Sequence, residues 1–403
     1  MFRIKDQKAL RISNQLSIMR ALWEEGPISR NLLQKKTRLS WGSISALVGE
    51  LVQCGIVREA GSIRTGVGRR PVELDLNTGS NYALGLLLSG DRVDAVVLDV
   101  KGVQVQEFSV PLDPRNPSEE IVDALFDAVE GILRGASIPK KLIAGIGVAV
   151  PGVYNPSTGV CVYAPNHPRW VDVPLRARFK ERYRIPVFID HDLNCCVLGE
   201  HWFGAGRGLH SFLCVSMDGG IGAGIMIDGR IYRGIDNTAG ELGHIQLDAG
   251  GPKCSCGRFG CLEAYASGRM LLNWLREHPI SPELKPFGAG GEGDELMRGL
   301  RVILSAAESG NREVMDLLDS MGKRLGAGIA TLITLFNPEA VILGGAVCRA
   351  KEFFLPGMNR VLAETVWPYS RVDIRFSILE RSMTVGAAGM VLNEVFNNAL
   401  LFR

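Results

Sequence analysis

The sequence predicts an α/β chain in two parts, a small three-helix module with a β-ribbon and a larger body of two α/β lobes that carries a metal loop. Three observations lead there. Residues 1–76 hold three short helical patterns followed by an alternating strand, Val72-Glu73-Leu74-Asp75-Leu76. From Tyr82 onward the order strand, strand, strand, helix, strand is laid out and then approximately repeated. Between His244 and Cys261 the chain reads His-x9-Cys-x-Cys-x4-Cys, with glycines at 250, 251, 257 and 260.

The bulk numbers agree with a chain of two or three domains. It has 403 residues, 46% hydrophobic and 22% charged, the balance of an ordinary globular chain. No apolar run reaches the length of a membrane span, and the start, Met-Phe-Arg-Ile-Lys-Asp, has no apolar signal core, so no membrane insertion is expected. Nine Cys, an odd number partly gathered in a metal-type cluster, point to a reducing cytoplasm. Net charge is +2 but uneven: residues 1–75 carry 13 Lys/Arg against 7 Asp/Glu, and the remainder 32 against 36. A basic front on a slightly acidic body is what a segment that meets a polyanion would show.

Taken in order, Leu16, Met19, Leu22 and Trp23 recur at helical spacing until Gly26-Pro27 ends the first helix. Ser29 is placed to cap a second helix through Leu32 and Leu33, and Thr37-Arg38-Leu39 reads as a turn. Ser40 then caps a third helix with Ile44, Leu47, Val48 and Leu51 on one face, stopped by Cys54-Gly55. The outward face carries Trp41, Gly42, Ser43, Ser45 and Gly49. Two helix glycines each cost about 1 kcal/mol relative to Ala, which close approach to another surface would justify. The stretch from Ile56 to Leu76 reads as a hairpin whose tip bears Arg64, Arg69 and Arg70. Together these elements form a winged helix-turn-helix over residues 1–76, with DNA contacts expected from Arg38, Ser40, Trp41, Ser43, Ser45, Arg64, Arg69 and Arg70. A helical dimerisation module is the bland alternative. Asn77 to Ser80 is the expected linker.

In the body, strands are expected at Tyr82–Leu88, Val93–Asp99 and Val103–Pro111. A helix capped near Ser118 should follow, then a buried strand at Leu142–Val150. A strand entering Asp190-His191-Asp192 closes the first round; Ser211–Met217 and Ala223–Asp228 open the second. Leu325–Phe336 reads as a long apolar helix, and Val385-Gly386-Ala387-Ala388 as the start of a C-terminal one. The Gly-rich stretch from Phe287 to Asp294 reads as a linker.

One imidazole and three thiolates are the donor set of a tetrahedral zinc site, so His244, Cys254, Cys256 and Cys261 are expected to hold structural zinc with no open position. The glycines let a short backbone wrap the ion. Glu241 stands three residues before the His, and Glu263 two after the last Cys. Glu-x-Gly-His followed by Cys-x-Cys-Gly-x-x-Gly-Cys-x-Glu resembles the signature of the ROK family (repressors, uncharacterised frames and sugar kinases). The Gly-Arg-Arg-Pro run of the hairpin also resembles an element of ROK repressors.

The resemblance implies an actin-like, sugar-kinase fold with a sugar in the cleft, held by Glu241, His244 and Glu263. His244 would serve the metal with one ring nitrogen and the sugar with the other. Pro151-Gly152 and Ala164-Pro165-Asn166 match the family's first sugar segment, in which Asn166 both donates and accepts. His191-Asp192 falls where the kinases carry Asn-Asp, so both join the sugar set, with Asp192 a vestigial catalytic base. The phosphate side departs from the kinase pattern: Asp-x-Gly-Gly-Thr is replaced by Leu87-Leu88-Ser89-Gly90-Asp91, and Gly-Thr-Gly by a loop opening Asp218-Gly219-Gly220. Carboxylates beside a polyphosphate oppose phosphoryl transfer.

The implied domains are 1–76, a first lobe at 81–195 with helix 385–400 packing back on it, and a second lobe at 196–384 with the zinc loop 244–261. The function expected is that of a sugar-responsive DNA-binding regulator, a repressor of carbohydrate genes, which takes a sugar or sugar phosphate and an operator and acts as a homodimer or dimer of dimers. An active ATP-dependent sugar kinase is the alternative; a scaffold that binds a protein partner is a third reading.

Overall fold

The computed structural model describes residues 2–62, 72–278, 280, 292–397 and 401. Helices α1 (Phe2–Glu25), α2 (Arg30–Thr37) and α3 (Trp41–Gln53) pack with a small sheet in the order β1-β3-β2, built from β1 (Ile28–Ser29), β2 (Val57–Ser62) and β3 (Val72–Leu76). Both expected caps form: Ser29 Oγ accepts from the Leu32 amide and Ser40 Oγ from the Ser43 amide at 3.2 Å. Arg38 takes a left-handed conformation, φ 57°, which ends α2 and sets the tight turn into α3. Ile18, Leu22, Leu33, Ile44 and Val48 are buried together, whereas Trp41, Ser45 and Gly49 face outward. Among the described residues, an added Cβ at Gly49 would meet nothing within 4 Å, so none of these neighbours demands that glycine. The expected wing tip with Arg64, Arg69 and Arg70 lies outside the described residues.

The body holds two five-stranded sheets of the same plan. The first runs β11-β7-β4-β5-β6, from β4 (Tyr82–Leu88), β5 (Arg92–Asp99), β6 (Gln104–Pro111), β7 (Ile143–Val150) and β11 (Val187–His191). The second runs β14-β13-β12-β15-β16, from β12 (Phe212–Met217), β13 (Ile221–Ile227), β14 (Arg230–Ile231), β15 (Ala340–Gly344) and β16 (Asp373–Phe376). In each, three strands pair antiparallel and the last two join in parallel. The first sheet is flanked by α4 (Ser118–Ala136), by α5 (Leu175–Tyr183) and by a side sheet of β8 (Val153–Asn155), β9 (Val160–Tyr163) and β10 (Val171–Val173). Helix α6 (Asp192–Phe203) stands between the sheets. The second sheet carries α7 (Glu263–Ala266), α8 (Gly268–Glu277), α9 (Glu292–Glu308), α10 (Arg312–Phe336) and α11 (Lys351–Thr365), and α12 (Ser382–Asn397) returns to the first.

Several boundaries differ from expectation. Ser118 is the first helical residue of α4, with Pro117 before it and no side-chain cap bond; Glu119 and Glu120 supply negative charge to that end instead. The apolar Leu325–Phe336 run is the second half of α10. Helix α9 starts at Glu292, inside the expected linker, whose earlier part is outside the described residues. Helix α12 starts at Ser382, three residues early, and residues 398–400 of the expected 385–400 helix are not described.

Helix α12 does pack on the first sheet. A Cβ at Gly147 would run into the Ala387 carbonyl, and one at Gly386 into the Cys195 carbonyl of α6. Buried side chains run without interruption from Ile44 and Leu22 of the first domain through Trp202 and Phe396 to Ala387. Among the described residues, no helix is long and apolar enough to cross a membrane.

Candidate functional site

The loop between β14 and α7 is folded on itself by two isolated bridges, Gln246 to Cys261 and Lys253 to Phe259. Gly260 sits at φ 69°, and a Cβ there would collide with the Asp248 carbonyl, so the turn requires glycine. The Gly257 amide donates to the Cys254 carbonyl at 3.0 Å, and the Cys254 amide to the Arg258 carbonyl at 2.7 Å. These turns bring one ligand atom each from His244, Cys254, Cys256 and Cys261 within 4.8 Å of one another. Cys256 and Cys261 Sγ are 3.8 Å apart, and His244 Nδ1 is 3.8 Å from Cys254 Sγ. A tetrahedron with metal–sulfur bonds of about 2.3 Å has sulfur–sulfur edges of about 3.8 Å, so the cluster has the size of a closed four-ligand site. The Arg258 backbone amide draws the Cys256 thiol down to about 6, and burial pushes Cys261 up to about 12. The nine cysteines are free thiols.

The same loop presents its carboxylates. His244 Nε2, the nitrogen turned away from Cys254, lies 3.9 Å from Glu241 Oε2, whose side chain is half exposed. Glu263 opens α7 and is held at both oxygens: Oε1 accepts from the Ser255 hydroxyl at 3.0 Å and Oε2 from the Ile221 amide at 3.1 Å. Ser255 is the residue inside Cys-x-Cys, so the metal loop grips the carboxylate directly. Gly220 makes room for it, since a Cβ there would stand 2.6 Å from Glu263 Oε2.

From the other sheet, β11 ends at His191 and α6 begins at Asp192, with His191 Nδ1 3.4 Å from Asp192 Oδ1. Burial raises the Asp192 carboxyl from its ordinary value, a shift that the neighbouring His191 and the Leu193 amide offset in part. The start of β13 touches the start of α6, because a Cβ on Gly222 would clash with Leu193. The loop that holds Glu263 through Ile221 therefore lies against the residue next to Asp192. Asn166 is exposed in the Ala164–His167 turn, which the buried His167 ties to the Ser89 carbonyl at 2.8 Å. Burial draws the His167 imidazole below its usual value. The structure thus brings together the four metal donors, the Glu241–His244 pair, Glu263 and the His191–Asp192 pair; no hydrogen bond among the described residues links Asn166 to them.

Sequence reasoning missed a polar joint beneath this site. Asp190 is buried and accepts from Arg233 Nε at 2.9 Å and Nη2 at 2.6 Å, a bond between the two lobes. Its other oxygen accepts from Asn194 Nδ2 and the His191 amide, each at 2.8 Å. Asn237 joins from the second lobe, at 3.2 Å from Asn194. The only sequence signal was the four-residue step from Asp190 to Asn194. Asp218, at the end of β12, accepts from the Ala346 amide at 2.7 Å and the Ser216 hydroxyl at 2.8 Å.

In the first domain, Arg38, Trp41 and Ser45 are exposed around the start of α3, while Ser40 and Ser43 bond to each other at 2.9 Å.

The profile of the ROK family matches residues 83–393, and that of a winged helix-turn-helix DNA-binding domain matches residues 13–58. The xylose repressor of Caldicellulosiruptor bescii is 30% identical over 387 residues, spanning 95% of this chain and 96% of the relative. Among solved structures, a ROK family transcriptional regulator, a homologue of the Escherichia coli MLC protein, superposes with a TM-score of 0.81 at 25% identity over 98% of both chains. A ROK family glucokinase from Streptomyces griseus, in complex with glucose and AMPPNP, superposes at 0.64 and 29% identity over 77% of this chain and 99% of its own. The chain therefore belongs to the ROK family, and joins a winged helix-turn-helix domain to the family's two-lobed, actin-like body.

Proposed function

We propose that this protein is a cytoplasmic, sugar-responsive transcriptional repressor. Its divisions are 1–76 for DNA, 81–195 with 385–400 as one lobe, and 196–384 as the other. Asn166, His191, Asp192, Glu241, His244 and Glu263 receive the sugar, and structural zinc on His244, Cys254, Cys256 and Cys261 fixes the cleft wall. The observation that carries this reading is the double use of one loop: His244 turns one ring nitrogen to Cys254 and the other toward Glu241, while Ser255 of the same loop holds Glu263. A loop closed by metal is stiff, and stiff carboxylates and an imidazole suit a small ligand rich in hydroxyls.

DNA is read by the start of α3, through Arg38, Ser40, Trp41, Ser43 and Ser45, and by the wing arginines Arg64, Arg69 and Arg70. The unneeded glycine on the outward face of α3 fits close approach to a groove. Paired half-sites favour a homodimer or a dimer of dimers. Arg38→Ala and Arg69→Ala should each weaken binding to a DNA duplex selected by the parent protein from a random pool. Each should also lower the slope of log K against log salt by about 0.9, one phosphate contact. Fluorescence anisotropy across a salt series checks this; an unchanged slope in both variants removes these residues from the interface.

Kinase activity is not part of the proposal. Asp218 supplies its own carboxylate to the Ala346 amide, an anion acceptor already in place where a phosphate oxygen would compete. A coupled ADP assay with D-xylose, D-glucose and N-acetyl-D-glucosamine should give no turnover above the Asp192→Asn variant. ADP release that depends on Asp192 would instead favour the sugar-kinase reading.

A further inference from the structure

We infer that Trp202 is a positioning residue through which the sugar cleft acts on the DNA-binding domain. The inference rests on the reading of the cleft as an effector site. Helix α6 begins with Asp192 and ends with Trp202 and Phe203; at 1.5 Å per residue it spans about 18 Å. At its far end the Trp202 ring meets Trp23 of α1 edge-on, with centroids 4.8 Å apart and planes at 83°. Phe396 of α12 completes the cluster, 6.1 Å from Trp23 and 5.9 Å from Trp202, and the Arg207 guanidinium lies 5.6 Å over Trp23. Arg20 of α1 donates to the Phe396 carbonyl at 3.0 Å. A second contact sits beside the first: Lys101 Nζ is 2.7 Å from Oδ1 of the buried Asp75 in β3. The adjoining Gly102 is pressed against the Phe203 ring so closely that a Cβ would clash. Two of the contacts from the body to the first domain thus reach the last two residues of α6.

The helix cannot absorb a displacement along its length. Toward α12, Cβ atoms at Gly386 and Gly199 would collide with the carbonyls of Cys195 and Ser382. Toward the second lobe, Gly224 of β13 lies against Leu193 and Val197 with the same lack of space. Packing this tight passes a shift on rather than dissipating it. A change of lobe angle at Asp192 is therefore delivered to Trp202. The aromatic joint there is not a fully satisfied one: Nε1 of Trp23 and Nε1 of Trp202 are both buried with no acceptor among the described residues. Two buried donors without partners penalise the docked arrangement, so a second arrangement that frees them is within reach of a modest ligand bias. A joint that both sites bias is what coupling requires.

The test uses the full chain, a DNA duplex selected by the parent from a random pool, and whichever of D-xylose, D-glucose and N-acetyl-D-glucosamine raises the parent's melting temperature. In Trp202→Phe, calorimetric sugar affinity and sugar-free DNA affinity should stay within threefold of the parent. The sugar-induced change in DNA affinity should fall to less than twofold. A merely structural role would shift the first two and leave the ratio alone. Lys101→Met, at the part-buried ion pair of the second contact, should shrink the ratio at least threefold, and it decides the matter if Trp202→Phe does not fold. Variants that keep the parent's ratio overturn the inference while leaving the effector site standing. A parent that binds none of the three sugars, and whose DNA affinity none of them changes, overturns the effector reading and the inference with it.

Discussion

On the zinc assignment proposed above, treating this protein with a chelator should abolish its sugar response and lower its melting temperature by roughly 5–10 °C. Loss of a metal belongs to the small class of changes that cost about 4 kcal/mol or more, and a domain of this size moves about 2 °C per kcal/mol. The mechanism is local. Without the ion, three thiols within 4.8 Å of one another are left with nothing to bind them together, and the two bridges that fold the loop, Gln246–Cys261 and Lys253–Phe259, lose their anchor. Ser255 then no longer holds Glu263, and His244 no longer has a fixed ring plane. Chelator treatment followed by calorimetry with the active sugar measures both effects, and metal analysis should find about one zinc per chain. Cys261→Ser should reproduce the loss. Cys54→Ser, at the exposed end of α3, should leave both melting and sugar binding unchanged. Metal-free protein with full sugar affinity would contradict the assignment.

Glu263→Ala should weaken sugar binding at least 100-fold while leaving sugar-free DNA affinity within about twofold. Hydrogen bonds donated to a charged acceptor are worth about 1.5–3 kcal/mol each, and about 2.7 kcal/mol is 100-fold. The truncation also strands the Ile221 amide and the Ser255 hydroxyl, which now share that carboxylate. The start of β13 beside Leu193 would loosen with them. Glu263→Gln keeps an acceptor for one of the two donors and should fall between the variants. Among the residues proposed to read DNA, Arg38, Ser40, Trp41, Ser43 and Ser45 lie at the end of α2 and the start of α3, a separate set of helices, which is why DNA affinity without sugar should survive. If Glu263→Ala responded to sugar as the parent does, the cleft would be misplaced.

What could be read from the sequence follows how far apart the interacting residues are. The metal donors lie within 18 residues of one another, so their spacing alone predicted the cluster. Ser29 and Ser40 act on amides three residues away, and both caps formed as expected. The repeated strand order was visible where strands follow one another closely, as β4 to β6 and β12 to β13 do; β15, the parallel partner of β12, comes only after helices α7 to α10. Ser118 failed as a cap because Pro117 already occupies the extended position before the helix. The Asp190–Arg233 joint spans 43 residues, and the Trp23–Trp202 contact joins two separate domains. No periodicity marks such pairs, since each residue taken alone reads as an ordinary charged or aromatic residue. Asp218 was flagged for the charge it brings, but its bond to Ala346 required the fold.

Sugar and DNA are proposed to bind one protein at two coupled sites. This coupling is tested most directly by titrating the active sugar into the full chain, alone and with the selected DNA duplex at saturation. Linkage requires DNA to change the sugar dissociation constant by the same factor by which sugar changes the DNA dissociation constant. Two equal factors are expected, each at least fivefold, which corresponds to about 1 kcal/mol of coupling. A sugar affinity that DNA leaves untouched would contradict the coupling.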